Sequence, residues 1–176
     1  YQGASKAAFD IIVGSGPNSS YPHHISSQRE LKRNEPVLID MGVEVEGYKC
    51  DLTRVFFLGK IKGLVREIFD ITAKAQALAI DHIKPGVKAS EVDQAGRRYI
   101  AQKGYGKLFG HNLGHGVGLD VHELPHISVK ENTLLEPGMV FTVEPGIYLP
   151  GKFGIRIEDM VLVTKERVEV LSGLIH

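Results

Sequence analysis

The stretch GHNLGHGVGLDVHELPH, Gly110 to His126, holds four of the chain's eight histidines and four of its glycines. Its last five residues, HELPH (His122 to His126), match the H-E-x-x-H zinc motif letter for letter. That motif works only on a helix, where residues four apart share a face. Pro125 lies inside the pattern, glycines run up to it, and proline disrupts a helix interior. The helical zinc reading is therefore rejected. Gly114, Gly116 and Gly118 form no phosphate loop either, because no Lys-Ser or Lys-Thr follows and no helix opens there. No serine sits in a G-x-S-x-G elbow, and Cys50 reads as a core filler on a strand rather than a nucleophile. The histidines must then serve a site built with other parts of the chain.

Outward from this stretch, strand-like and helix-like segments fall into blocks. Phe9 to Gly16 is a short apolar run ending in glycines, and Asn34 to Gly42 and Lys49 to Gly59 read as two strands with a tight turn near Glu46-Gly47. Leu64, Ile68, Ile71, Ala75, Leu78 and Ile83 recur at helical spacing, which predicts a helix over 63–83. Lys84-Pro85-Gly86 breaks it. Ser90 with Asp93 marks the start of a second helix, which runs to about Lys103. After the Gly/His stretch, Gly138 to Gly146, Gly154 to Thr164 and Val168 to Ser172 are strand-like again. Helices grouped between two sets of strands make an α+β fold.

Composition sets the outer bounds. The chain has 176 residues, the size of one domain with a sizeable core. Lys plus Arg balance Asp plus Glu at 21 each, so neither nucleic acid nor a membrane surface is an expected partner. No apolar run approaches the ~18 residues of a membrane span, and no signal peptide is visible. The single cysteine, Cys50, excludes an internal disulfide and points to a reducing, cytoplasmic setting. The chain opens at Tyr1 without a methionine, which suits a fragment of a longer protein.

A faint internal echo runs through the sequence. Glu35 to Gly42 (EPVLIDMG) resembles Glu136 to Gly146 (EPGMVFTVEPG): each is an apolar strand ending in a carboxylate and then a glycine. A second carboxylate follows each, Asp51 after 11 residues and Glu158 after 14. A histidine-bearing segment precedes each, NSSYPHH in one half and GHGVGLDVHE in the other, and Lys103 to Phe109 aligns with Tyr1 to Phe9. Along the strands, Asp51 shares a face with Thr53 and Arg156 with Glu158. Apolar strands ending in Asp40 or Glu144 carry an acid into a buried place, where it must be paired, hydrogen-bonded or bound to metal. Four such acids with one or two histidines suit a pair of divalent metals, and the oxygen-rich set favours Mn or a similar hard ion over structural Zn. Two metals can activate water and polarise a carbonyl, which is hydrolytic chemistry.

Taken together, NSSYPHH, LIDMGVEVEGYKCDLTR, GHGVGLDVHELP, EPGMVFTVEPGIY and GIRIEDMVLV resemble the pita-bread metallopeptidases, in particular the proline-specific branch of Xaa-Pro aminopeptidase and Xaa-Pro dipeptidase (prolidase). The resemblance covers nearly the whole chain in order. It implies a pita-bread fold of two pseudo-symmetric halves, with residues 1–176 as one catalytic domain. It also implies two divalent ions, Mn or Co with Zn as a further option, held by Asp40, Asp51, His115, Glu144 and Glu158. Asp51 and Glu158 would bridge the ions, Asp40 would complete one site, and His115 with Glu144 the other. His23 would line the site near the substrate, His122 would steady the tetrahedral intermediate, and Arg156 matches an arginine two residues before the last ligand. Glu144 would pass a proton to the leaving prolyl nitrogen, and the substrate would be a peptide with proline in second position. His111, His126 and His24 read as solvated or structural.

Two departures from the family pattern bear on activity. The family's N-terminal domain and the opening helical segment of its catalytic domain have no counterpart in this sequence, so the missing N-terminal portion and a homodimer of the full-length protein are expected partners. Dipeptidases of the family usually carry arginine where His126 stands, which tilts the reading toward an aminopeptidase. Methionine aminopeptidase, creatinase-like hydrolysis and a non-catalytic pita-bread binding module are the rival readings.

Overall fold

The computed structural model describes residues 3–173. Its strands are β1 (Lys6–Ala7), β2 (Ile12–Ser15), β3 (Pro36–Met41), β4 (Val43–Val45), β5 (Tyr48–Lys49) and β6 (Leu52–Phe57), followed by helices α1 (Gly63–His82) and α2 (Ala89–Gln102). Then come β7 (Gly114–Gly116), β8 (Glu123–Ile127), β9 (Val140–Val143), β10 (Gly146–Leu149), β11 (Phe153–Arg156), β12 (Asp159–Val163) and β13 (Val168–Val170). The expected α+β arrangement, with both described helices between two sets of strands, is what forms.

The echo in the sequence is a repeat in the topology. In the first half β3 pairs antiparallel with β2 on one side and β6 on the other, and the β4–β5 hairpin is inserted between β3 and β6. In the second half β9 pairs antiparallel with β7 and β12, and the β10–β11 hairpin is inserted between β9 and β12. The halves join where the Glu158 N–H donates to Thr53 O at 3.2 Å and the Asp51 N–H to Met160 Sδ at 3.2 Å. The alignment of 1–9 with 103–109 does not carry over: β1 is a strand edge paired with β4, whereas Gly106–Leu108 is a 3₁₀ turn. Tyr1 and Gln2, at the start of that alignment, lie outside the described residues.

The helices form for the reason the spacing suggests. Ile68, Ile71, Ala75 and Ala79 line one buried face of α1, and Val92, Gly96 and Ile100 one face of α2. They pack with Phe141, Val143, Ile155 and Val161 into one core. The start of α2 differs from the sequence reading. Ser90 makes no side-chain cap; the loop carbonyls of Thr133 and Glu131 accept the N–H groups of Ala89 and Ser90 instead. Asp93, fully buried, is bound by Arg97 at 2.7 and 2.8 Å and accepts the Leu113 N–H at 3.0 Å. It therefore ties the helix to the segment that leads into β7.

The turn at Glu46-Gly47 has φ of 51° and 88°, the positive values a type I′ hairpin needs at both central residues. The single strand expected over 154–164 is two strands, β11 and β12, interrupted at Ile157-Glu158. The Gly/His stretch contains β7 and leads into β8. Its glycines are there for close approach rather than for unusual backbone angles: a Cβ on Gly114 would lie 1.9 Å from Thr142 O, and one on Gly116 would lie 2.3 Å from Leu124 O.

Gly114→Ala is expected to lower the unfolding free energy by about 1–3 kcal/mol or more, read as a lower urea midpoint, because backbone, not a flexible side chain, must move. Gly110→Ala, where a Cβ meets nothing within 4 Å, is the control and should be near neutral.

Candidate metal centre

Strand ends deliver the acids. Asp40 lies on β3 opposite Thr53 of β6, and Asp51 sits two residues before Thr53, in the link from β5 to β6. In the other half Val143 pairs with Asp159, so Glu144, just past β9, and Glu158, just before β12, come level. β7 lays His115 alongside. The His115 N–H donates to Thr142 Oγ1 at 3.1 Å, and the Thr142 hydroxyl donates to Glu144 Oε1 at 3.1 Å.

The His115 ring is set for metal binding. Its Nδ1 lies 3.1 Å from Gly116 O, and a carbonyl only accepts, so Nδ1 carries the proton. The free lone pair is on Nε2, which faces Glu144 Oε1 at 3.3 Å and Asp51 Oδ2 at 3.7 Å. Burial lowers the ring's pKa and keeps it neutral. Asp51, His115 and Glu158 each offer a ligand atom, all within 4.8 Å of one another. These three form a group able to hold a metal ion.

Arg156, buried, is the hub of the supporting bonds. Nη2 donates to Asp40 Oδ2 at 2.5 Å, Nε to Thr53 Oγ1 at 3.0 Å, and Nη1 to Tyr148 Oη at 3.0 Å and Pro22 O at 3.2 Å. Thr53 in turn donates to Glu158 Oε2 at 2.6 Å. Burial would lower the Arg156 pKa, but Tyr148, Asp40, Glu158 and Glu144 raise it above the usual arginine value. One guanidinium does not offset four acids. Burial, then Glu158, Asp40 and Glu144, push Asp51 up to about 10. Burial, then Asp40, push Glu158 up to about 7. Burial, then Glu158, hold Glu144 well above the ordinary range. Asp40 Oδ1 and Asp51 Oδ1 are buried with no hydrogen-bond partner among the described residues. Crowded acids, orphaned oxygens and a free imidazole lone pair fit divalent cations.

The expected ligands and supporting residues line one cleft of about 410 Å³: Asp40, Asp51, His115, Glu144 and Glu158, with His23, His122 and Arg156. His122 is exposed at the mouth, its ring 4.3 Å from that of His115. The β4–β5 hairpin braces the loop ahead of it, with the Lys49 N–H on Gly118 O at 2.8 Å and Lys49 Nζ on Leu119 O. His126, opposite His115 in the β7–β8 register, also lines the cleft and is exposed. His24 is not part of the cleft lining. Cys50 lies in the link between β5 and β6 rather than on a strand, and its Sγ accepts the Val43 N–H at 3.2 Å.

Two participants were missed in the sequence. His111 was read as solvated or structural, yet it lines the cleft and its pKa is driven down to about 4 by burial. Its Nδ1–H donates to Asn112 O at 2.7 Å, leaving Nε2 to accept from the Tyr148 hydroxyl at 3.0 Å. Tyr148, raised to about 12 by burial, links His111 to Arg156. The available signal was a tyrosine in the short apolar run Gly146–Leu149, where a buried hydroxyl needs a partner.

A cleft of this kind, acids from two repeated half-sheets around a histidine, has the donor set of a divalent-metal centre. The chain belongs to metallopeptidase family M24, whose model matches residues 1–165. It is 46% identical over 163 residues to a Xaa-Pro dipeptidase from Pyrococcus horikoshii, covering 93% of this chain and 46% of that protein. The fold matches the prolidase from Pyrococcus furiosus with a TM-score of 0.95 at 45% identity, covering 97% of this chain and 50% of that one. An X-Pro aminopeptidase from Thermotoga maritima matches with a TM-score of 0.94 at 45% identity, covering 97% and 48%. The expected pita-bread fold is borne out, and the chain spans about half the length of these relatives. Among the described residues no helix is long and apolar enough to cross a membrane.

The raised acids set a pH dependence. Native Glu158 and Asp51 hold protons up to about pH 7 and about pH 10, whereas unfolded carboxyls release theirs near pH 4. The native state thus binds more protons, and stability falls as pH rises through that window. The lowered His111 and His115 act in the opposite sense below about pH 6.5, so chelator-treated protein should lose urea resistance from about pH 7 to pH 8, and added divalent cation should remove the trend. A midpoint rising with pH over this range would contradict the crowding of the acids.

Proposed function

We propose that residues 1–176 form the catalytic domain of a dinuclear-metal exopeptidase that hydrolyses the bond between an N-terminal residue and proline, of the Xaa-Pro aminopeptidase type. The observation that carries this reading is the gathering of four acids and His115 in one cleft, with buried carboxylate oxygens lacking protein partners. Asp51 and Glu158 would bridge two ions, Asp40 would complete one site, and His115 with Glu144 the other. The oxygen-rich set suits Mn or Co, with Zn as an alternative. When bound, the ions supply Lewis acidity: they make water a nucleophile at neutral pH and polarise the scissile carbonyl.

The chain's own residues do the rest. His122, at the cleft mouth, hydrogen-bonds the substrate carbonyl oxygen as negative charge grows on it. Glu144, whose proton affinity is raised by burial, carries a proton to the prolyl nitrogen as the C–N bond breaks. Arg156 keeps Asp40 and Thr53 in place and, through Pro22 O, pins the segment that presents His23 to the substrate. The homodimer, the further N-terminal portion and a cytoplasmic location belong to this reading as well. The second reading, Xaa-Pro dipeptidase, is favoured by the names of the relatives. The exposed His126 on the cleft wall, in place of an arginine for a dipeptide carboxylate, weighs for the aminopeptidase.

The test is cleavage by Mn-loaded protein of Xaa-Pro, Xaa-Pro-Yaa and Met-Ala-Ser peptides, with and without chelator. Chelator-sensitive release of the first residue from Xaa-Pro-Yaa is expected. Cutting of the dipeptide alone would select prolidase activity, and cutting of Met-Ala-Ser alone would select methionine aminopeptidase. No cleavage by protein with metal bound would contradict the enzyme reading for this chain. His122→Ala should lower kcat by about 10²-fold with metal content unchanged.

A further inference from the structure

Gln76 lies in the middle of α1 with 8% of its surface exposed, on a face otherwise made of Ile68, Ile71, Thr72, Ala75 and Ala79. An amide in such surroundings must find partners. Its Nε2 has three acceptors in reach, shared between its two hydrogens: Val143 O at 3.1 Å, Ile157 O at 3.3 Å and Asp159 Oδ2 at 3.0 Å. Val143 immediately precedes Glu144, and Ile157 and Asp159 flank Glu158. At this point the β9–β12 ladder ends with the Val143–Asp159 pair, and the β10–β11 hairpin begins only at Gly146 and Arg156. The backbone N–H groups of Glu144 and Glu158 turn away from each other, to Leu113 O at 2.8 Å and Thr53 O at 3.2 Å. Across the break the Ile157 N–H donates to Pro145 O at a long 3.4 Å, and the Gln76 amide spans it from the helix side. Asp159 is held from its other side, where Arg54 and the Ser172 hydroxyl donate to Oδ1 at 2.7 Å each.

We propose that Gln76 is a positioning residue for the metal centre. From the helix it fixes the spacing of the two strand ends that carry Glu144 and Glu158, and so the separation of their carboxylates. This rests on the metal reading above. Removing a hydrogen bond to a ligand's own side chain typically changes metal affinity by about 10–100-fold; Gln76 bonds the chain beside the ligands, so the lower end of that range is expected. A glutamine serving only to stabilise the helix would leave affinity alone.

The experiment titrates Mn²⁺ into the metal-free full chain by calorimetry, well below the melting temperature. Gln76→Met fills the same space without a donor, and Gln76→Asn keeps the amide but withdraws it by one methylene. Thr72→Val is the control: it sits one turn earlier on the same buried face and loses a hydroxyl that bonds Ile68 O of its own helix at 2.8 Å. Both Gln76 variants should bind Mn²⁺ at least about tenfold more weakly and change the visible spectrum of the Co²⁺-loaded protein, while Thr72→Val stays within about twofold of wild type. Should Gln76→Met not fold, Gln76→Asn carries the comparison. Wild-type affinity in the folded Gln76 variants, or an equal loss in Thr72→Val, overturns the proposal. If the wild-type chain binds no Mn²⁺, the metal reading falls first and the inference with it; if it binds and the Gln76 variants match it, the inference alone falls.

Discussion

Asp40, Asp51, Glu144 and Glu158 reach one cleft from two halves of the chain, and Arg156 is the sole arginine or lysine among the described residues that line it. Four carboxylates in so small a buried space cannot all be charged without more positive charge than one guanidinium supplies. Burial and mutual repulsion raise the proton affinity of Asp51, Glu144 and Glu158, and divalent cations would take the place of those protons. Much of the surrounding structure follows from keeping these acids close despite their repulsion. Thr53 and Thr142 each give a hydroxyl proton to one carboxylate. Arg156 takes Asp40 directly and Glu158 through Thr53.

The repeat in the fold is what makes that crowding achievable. Each half contributes a three-strand antiparallel core with a hairpin inserted before its last strand. Acids therefore emerge at the ends of the central strands and the starts of the last ones. The halves meet along Asp51–Thr53 and Glu158–Met160, so the contact that joins them also sets the distance between their acids. β7 reaches this seam only because Gly114 and Gly116 let three backbones lie in contact, and it brings His115 with it.

What was legible in the sequence was whatever depends on local periodicity. The buried stripes of α1 and α2 are written in residues three and four apart, and Pro125 was enough to show that His122 and His126 do not share a helix. What was not legible depends on partners far along the chain. β7 carries no alternating pattern, because Gly114 and Gly116 answer to Thr142 and Leu124 across the sheet, and Pro125 obscures β8 in the run Glu123–Ile127. The run 154–164 reads as one strand, but it breaks at Glu158, whose N–H serves Thr53 in the other half. Asp93 resembles a helix cap and instead binds Arg97 and the Leu113 N–H. The roles of His111, Tyr148 and Gln76 come entirely from contacts across the fold. The candidate metal residues stood out through the resemblance of five stretches taken together, since each acid alone looks like an ordinary strand-edge charge.

The most direct measurement is an anomalous-scattering map of crystals of this chain grown with Mn²⁺. The account requires two peaks at the base of the cleft, in contact with Asp51 and Glu158, with Asp40 on one and His115 and Glu144 on the other. A map with no peak there, or with a single ion that leaves Asp40 bound only to Arg156, would contradict it.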